Sequence, residues 1–366
     1  TIAGQKITGS GAVRLFGDNS EFTITGANTN EASSIKASTN AIVFDTQDYV
    51  TAGGTFLGKE VLSRNANNNN NTVSLHNTEV STISEADALI KANSNYAEAG
   101  LMMTFGGSFV AGKLNTGLFA VDNAKFNLSG ELSKATAASK GWLVHSNNAK
   151  STRDQVFSKL AVNLSDKALA IGQMHKDEKA VLDVTVDDAT WQLAKKEDLT
   201  EQLSTISAAT LKNGGILDAG TNLTDGSKAV YKVHLTSDGV ASDGVFTNDG
   251  VITMVNGSYE DQLTIAGNYV GDNGKVKMNT EWNSPGDATG GNSKSDLLYI
   301  EGSANGSTKV VPVAADGREA VIDGTIASVA ADLHAITVPV VRVKEGANST
   351  EGAFTGVANT TGAGEL

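Results

Sequence analysis

Short runs that alternate apolar and polar residues recur from Val13 to Val343, each followed by a polar turn, and this recurrence limits the fold more than any other feature. The clearest run is Lys275-Val276-Lys277-Met278-Asn279-Thr280-Glu281-Trp282. Val276, Met278 and Trp282 point one way, while Lys275, Lys277, Asn279 and Glu281 point the other. Such a segment is a half-buried strand, and Trp282 is expected inside the fold near its C-terminal end. Leu182, Val184 and Val186 alternate with Asp183, Thr185 and Asp187, and the pattern resumes at Ala189, Trp191 and Leu193. Similar runs stand at Val13 to Phe16, Phe22 to Thr25, Ile42 to Phe44, Val73 to Leu75, Leu118 to Val121, Phe126 to Leu128, Leu263 to Ile265 and Leu297 to Ile300. Gly17-Asp18-Asn19-Ser20 and Lys212-Asn213-Gly214-Gly215 are typical of the turns between them.

Regular spacing without sequence identity is the trace a solenoid leaves. A β-sandwich has similar strands, but one sandwich rarely needs 366 residues. Stacked coils absorb the whole chain in one domain: roughly fifteen coils of about 22 residues, at ~4.8 Å each, make a rod near ~70 Å long. The expected fold class is therefore all-β, a right-handed, three-sided parallel β-helix (β-solenoid) with short protruding loops or helices. The 39 Gly against 3 Pro, and the wealth of Asn, Ser, Thr and Val, suit short strands and tight turns.

Two stretches depart from the pattern and read as insertions, near 84–98 and 153–179. Ser84-Glu85-Ala86-Asp87 has the form of a capping box and is followed by Leu89, Ile90 and Ala97, which predicts a short helix. Between Arg153 and Lys179, Val156, Leu160 and Leu164 stand four apart, which permits a helix or an ordered loop. The run Asn67, Asn68, Asn69, Asn70 and Asn71 reads as a solvated turn. It is also the candidate self-association patch, because stacked Asn side chains can form ladders that pair with another chain.

The formal charge of −13, with no local cluster of Lys and Arg, argues against nucleic acid and anionic lipid as partners. No apolar run approaches the ~20 residues of a membrane helix. No basic, apolar leader precedes Thr1, so a mature or trimmed soluble segment is expected. Zero Cys excludes disulfides and thiolate zinc sites, and leaves a chain that can thread a pore unfolded.

Catalytic signatures fail one by one. In Gly17-Asp18-Asn19-Ser20 the serine is one place out of register for a secreted esterase, and no Gly-Asp-Ser-Gly or Gly-x-Ser-x-Gly occurs. Gly286 to Gly291 resembles a phosphate loop, but Asn292 stands where lysine belongs. The histidines His76, His145, His175, His234 and His334 are far apart in sequence and read as scattered surface residues, although folding can gather some. Calcium-solenoid repeats are missing. Asp187-Asp188 and Glu260-Asp261 are formal carboxylate pairs, of the kind that polysaccharide-cleaving β-helices place on adjacent coils. No enzyme activity, catalytic residue, metal site or cofactor is expected.

The C-terminal third resembles the passenger end of pertactin-like, monomeric autotransporters of Gram-negative bacteria. The resemblance rests on Leu263-Thr264-Ile265-Ala266-Gly267-Asn268-Tyr269-Val270-Gly271, Gly274 to Thr280, Ser295-Asp296-Leu297-Leu298-Tyr299-Ile300-Glu301-Gly302, and Gly306 to Val310. Ile336 to Val343 and Gly352-Ala353-Phe354-Thr355 continue it. Thr190 to Leu193 and Leu211 to Leu217 look like generic passenger coils. The resemblance implies residues 1–262 as a stem and 263–366 as the folding-template coils that lead to the family's translocator barrel. It implies export through periplasm and outer membrane to the bacterial surface or medium. Family passengers are proteases, esterases, toxins or adhesins. With the catalytic signatures missing, the expected function is an adhesin that drives self-association, aggregation and biofilm formation, with an identical passenger on a neighbouring cell as partner. A host-receptor or matrix adhesin is the first alternative, and a polysaccharide-active enzyme the second.

Overall fold

A computed structural model describes residues 2–3, 6–9, 13–15, 17–26, 30–46, 51–56, 59–63, 68–82, 86–105, 108–150, 155–221, 228–237, 240–241, 244–282, 292–324 and 338–360. The chain is all-β, and among the described residues there is no helix. One parallel ladder runs through Ile2–Ala3, Glu21–Thr25, Thr72–His76, Ala124–Ser129, Lys159–Ser165, Val181–Asp187, Ala208–Lys212 and Val245–Asn248. It continues into the first halves of the long strands Asn268–Trp282 and Ala304–Val313. A second ladder runs from Lys6–Gly9 through Ser33–Ala37, Thr78–Thr82, Lys134–Thr136, Leu169–Ile171, Thr190–Gln192, Ile216–Asp218 and Val251–Thr253. The second halves of the same two long strands, and then Phe354–Thr355, complete it. A third row consists of Val13–Leu15, Ile42–Asp45, Ala88–Asn93, Trp142–Ser146 and Met174–Lys176, followed by a ladder from Gln202–Ile206 to Val341–Val343. Together these make a large parallel sheet nearly closed round an axis, a topology compatible with a parallel β-helix.

Stacking fixes the core. In the first ladder Ile24, Leu75, Leu128, Leu164, Val186 and Leu211 are in register and buried. In the second, Ile35, Val80, Ala135, Ala170, Trp191, Leu217, Ile252 and Val276 form the facing column. Each coil thus buries its inward side chains against like residues above and below, at roughly 25 cal/mol per Å² of apolar area. Five of the turns between these two ladders use left-handed residues: Asn77 (φ 45°), Gly130 (φ 96°), Asp166 (φ 52°) with Lys167 (φ 67°), Asp188 (φ 50°) and Asn213 (φ 51°). Asn, Asp and Gly tolerate that conformation best, which accounts for the composition. At Gly130 a Cβ would also lie 2.3 Å from Asn77 Oδ1.

Coil length is far less regular than about 22 residues. Bonds between adjacent coils span 51 residues at Ser20–Asn71, 53 at Ser74–Asn127, 36 at Asn127–Asn163, 25 at Leu182–Ser207 and 22 at Gly257–Asn279. The excess lies in antiparallel hairpins: Thr51–Phe56 with Lys59–Ser63, Asn95–Phe105 with Ser108–Phe119, and Asn148–Lys150 with Gln155–Phe157. All three leave the coil between a third-row strand and the next strand of the first ladder. The ladders therefore hold fewer rungs than fifteen.

Both helix expectations are corrected. Ala88–Asn93 is a strand paired on both sides, so its backbone groups are satisfied by neighbours rather than within a helix. Asp87 and Lys91 do pair at 2.8 Å with helical spacing, but across the start of a strand; Ser84 and Glu85 lie outside the described residues. Leu160 and Leu164 share the buried side of Lys159–Ser165 with Val162, so their four-residue spacing is a subset of a period of two. Residues 158–179 belong to ordinary coils.

Trp282 is buried, with 8% of its surface exposed, and its Nε1 has no hydrogen-bond partner among the described residues. Near it a polar knot ties the C-terminal coils. Asp296, fully buried, accepts the N–H groups of Asp261 (3.0 Å) and Asn279 (2.6 Å). Asp261, also fully buried, accepts Ala229 N–H at 2.6 Å and Asn256 Nδ2 at 2.7 Å. Burial pushes the Asp296 carboxyl up to about 7, against the two N–H bonds that favour its charge, and burial raises Asp261 as well. A raised folded-state pKa means stability that is full below the unfolded carboxyl value near ~4 and is lost as pH rises through about 7. Urea midpoints are therefore expected to fall between pH 5 and pH 8, and Asp296→Asn to flatten that fall. An equal slope in both proteins would remove Asp296 as its source.

Candidate functional site

Two features of the surface are built by coil register. The first is a column on the outer side of the first ladder: Thr23, Ser74, Asn127, Asn163, Thr185, Thr210 and Thr247 stand in register on successive strands. All seven are half-exposed. Asn163 Nδ2 donates to Asn127 Oδ1 at 2.8 Å, and Asn127 Nδ2 donates to Ser74 Oγ at 3.1 Å, so part of the column is already aligned by its own hydrogen bonds. Strand spacing makes it about 29 Å long. Its side chains are short, and ordering them costs less rotamer entropy than ordering Lys or Glu.

The second feature is a cluster on the third row. Strands Trp142–Ser146 and Met174–Lys176 are parallel neighbours, and their register sets His145 directly beside His175. The rings are 5.2 Å apart, and Trp142 stacks on His175 at 4.7 Å with a 19° interplanar angle. Asp177 Oδ1 lies 3.1 Å from His145 Nε2 and 3.7 Å from His175 Nε2. Its Oδ2 accepts the Asn148 N–H at 2.8 Å, which orients the carboxylate. Asp87 Oδ2 stands 3.4 Å from His145 Nδ1 and also holds Lys91.

The charges follow from these contacts. Burial acts to lower the His145 pKa, but hydrogen bonds to Asp177 and Asp87 overcome it and raise it. His175 has no such bonds; burial, helped by the neighbouring His145, lowers it to about 4. The bond to His145 holds Asp87 well below the ordinary carboxylate range. Burial opposes ionisation of Asp177, but His145 and the Asn148 N–H bring its pKa below the usual value.

The asparagine run is placed differently from the expected exposed ladder. Asn67 lies outside the described residues. Asn68 and Asn71 are fully buried. Asn68 Nδ2 donates to Leu15 O (2.6 Å) and Asp45 O (3.2 Å), and Asn71 Nδ2 donates to Gly17 O (2.9 Å) and Asn68 Oδ1 (2.5 Å). Only Asn69 and Asn70 reach the surface, where Asn70 Nδ2 is 3.4 Å from Asn19 Oδ1 of the adjacent coil. The run closes the corner from which a hairpin departs, where an apolar plug would leave backbone carbonyls without donors. The same corner one and two coils later uses Asn93, Ser94, Asn147 and Ser158, with Asn93 Nδ2 donating to Asp45 Oδ1 and Asn147 Nδ2 to Asn93 Oδ1.

The formal carboxylate pairs are engaged within the chain. Asp187 takes Lys212 (3.1 Å) and Asn213 (2.7 Å), and Asp188 takes Lys167. Glu260 pairs with Lys228 at 3.0 Å, and Asp261 belongs to the buried knot. Neither the outer column nor the His145–His175–Asp177 cluster is visible as a motif: successive members of the column are 22 to 53 residues apart, and His145 stands 30 residues before His175, so they meet only through the register.

Compared with protein-family models, curated proteins and solved structures, the chain matches none.

Proposed function

We propose that this chain is the passenger of an autotransporter-type secretion system, folded as a right-handed, three-sided β-helix, and that it acts as a non-enzymatic, self-associating adhesin at the bacterial surface. Three rows of parallel strands per turn support the three-sided reading. The sequence resemblance at residues 263–357 supports the passenger reading, and the buried Asp261–Asp296 knot gives those coils the tight tie that a folding template needs.

The observation that carries the function is the column from Thr23 to Thr247. A repeat of hydroxyl and amide groups at strand spacing matches a second copy of itself. Each intermolecular hydrogen bond adds only about 0.5–1.5 kcal/mol, but regular repetition along one face of short side chains sums them at a small ordering cost. The charge of −13 opposes approach at long range, so contact depends on these short-range bonds. Displayed with an outer-membrane barrel of its own, the passenger is expected to clump cells in the absence of host material. Labelled expressing and non-expressing cells mixed together should give clumps of expressing cells only. Well-displayed passenger that fails to clump cells or to self-associate at high concentration would sink the reading, and binding to host matrix in the same assay would favour the host-adhesin alternative.

A further inference from the structure

We infer that His145, His175 and Asp177 form a binding site for a divalent transition-metal ion of the zinc class, with Asp87 as its outer-shell carboxylate. The three side chains each offer a ligand atom, and these atoms lie within 4.8 Å of one another. Tetrahedral zinc, with bonds of about 2.0–2.2 Å, sets its ligand atoms about 3.4 Å apart. Two of the three separations already fit: Asp177 Oδ1 is 3.1 Å from His145 Nε2 and 3.7 Å from His175 Nε2. The third, between the two imidazoles, is within 4.8 Å, and both histidines sit on paired strands in the same register.

The supporting shell is the part that chance rarely supplies. Asp87 Oδ2 beside His145 Nδ1 holds a proton on Nδ1, so that an ion can take the place of the Nε2 proton that otherwise faces Asp177. Trp142 stacked on His175 restricts that ring. Asn148 N–H occupies Asp177 Oδ2 and leaves Oδ1 toward the imidazoles. His175 and Asp177 each keep about a third of their side-chain surface exposed (31% and 33%), which gives an ion a way in and leaves a fourth position to water. Two imidazoles with one carboxylate suit zinc, cobalt, nickel or copper and do not suit calcium or magnesium, which demand oxygen donors. Of three ammonium groups that stand near, Lys196 is held on Asp198 and Lys176 points toward the Glu178 carbonyl, while Lys91 shares Asp87 Oδ2 with His145. The site lies on a different row of strands from the outer column and does not depend on the adhesive reading.

The test is a titration of the full purified chain with Co²⁺ followed by visible absorption, then displacement by ZnCl₂. The expected result is a saturable ligand-field band equivalent to one ion per chain, lost on zinc addition. His175→Ala and Asp177→Asn are each expected to weaken binding at least tenfold, and Asp87→Asn by about tenfold through the outer shell. His234→Ala, away from the cluster, should leave it unchanged. Far-UV circular dichroism checks the fold, and if His175→Ala loses structure, the surface variant Asp177→Asn decides. The absence of a saturable band, or undiminished binding in the folded Asp177→Asn chain, would overturn the site.

Discussion

Trp191→Ala is expected to cost about 3–5 kcal/mol of stability, the largest loss from any single side chain of the core. Trp191 is fully buried on the second ladder, between Ala170 on one neighbouring coil and Leu217 on the other. The small Ala170 leaves the space that the indole fills, so truncation puts two alanines in register with nothing to close the void. The loss has a polar part too. Trp191 Nε1 donates to the Gly172 carbonyl at 3.0 Å, and the variant leaves that acceptor without its donor. Because each coil is held by its neighbours, a cavity here weakens two interfaces at once. Thr185→Ala on the outer column of the same coil is expected to stay within about 0.5 kcal/mol. Urea unfolding followed by circular dichroism measures both, and a Trp191→Ala loss below about 1 kcal/mol would show that the column relaxes around the gap. Trp282→Ala should cost less than Trp191→Ala, since Trp282 keeps 8% of its surface exposed and its Nε1 makes no bond among the described residues.

Much of the coil interior is legible in the sequence, and the reason is local. Alternation at Leu182, Val184 and Val186, resumed at Ala189, Trp191 and Leu193, places all six inside, because a period of two is decided by adjacent residues. Val276, Met278, Thr280 and Trp282 follow the same rule, and Asn279 departs from it, buried where the polar knot replaces apolar packing. What depends on coil length is not legible. Hairpins at 51–63 and 95–119 lengthen two coils to 51 and 53 residues, and the one at 148–157 lengthens the next to 36, so His145 and His175, or Asn127 and Asn163, become neighbours only after folding fixes the register. The asparagine run misleads for a related reason. Exposure of a polar residue is a good default, but a corner that releases a hairpin has unsatisfied carbonyls inside, and Asn68 and Asn71 are spent on them. Replacing that run with Gly and Ser would damage the coil rather than test a contact surface.

A paired substitution on the outer column, Asn127→Lys with Thr185→Lys, is expected to abolish clumping of expressing cells. Both positions are half-exposed and stand on the first ladder either side of Asn163, so neither change disturbs the buried side of its strand. Two lysines make the chain less negative than its −13, and long-range repulsion between identical rods falls. If net repulsion set the strength of association, this variant would clump more. If the column is the contact, each long charged side chain interrupts the run of short donors and acceptors, and juxtaposes like charges across an antiparallel pair of rods, so clumping is lost. Surface display measured by antibody, and the unfolding midpoint, confirm that the variant is present and folded. The single change Asn127→Lys also removes the hydrogen bonds to Ser74 and Asn163 and is expected to have the larger share of the effect. Lysines at Thr210 and Thr247, farther along the same column, should act in the same direction, because an antiparallel contact places the two ends of the column opposite each other. Clumping that persists with all four lysines in place would move the contact to another face of the coil.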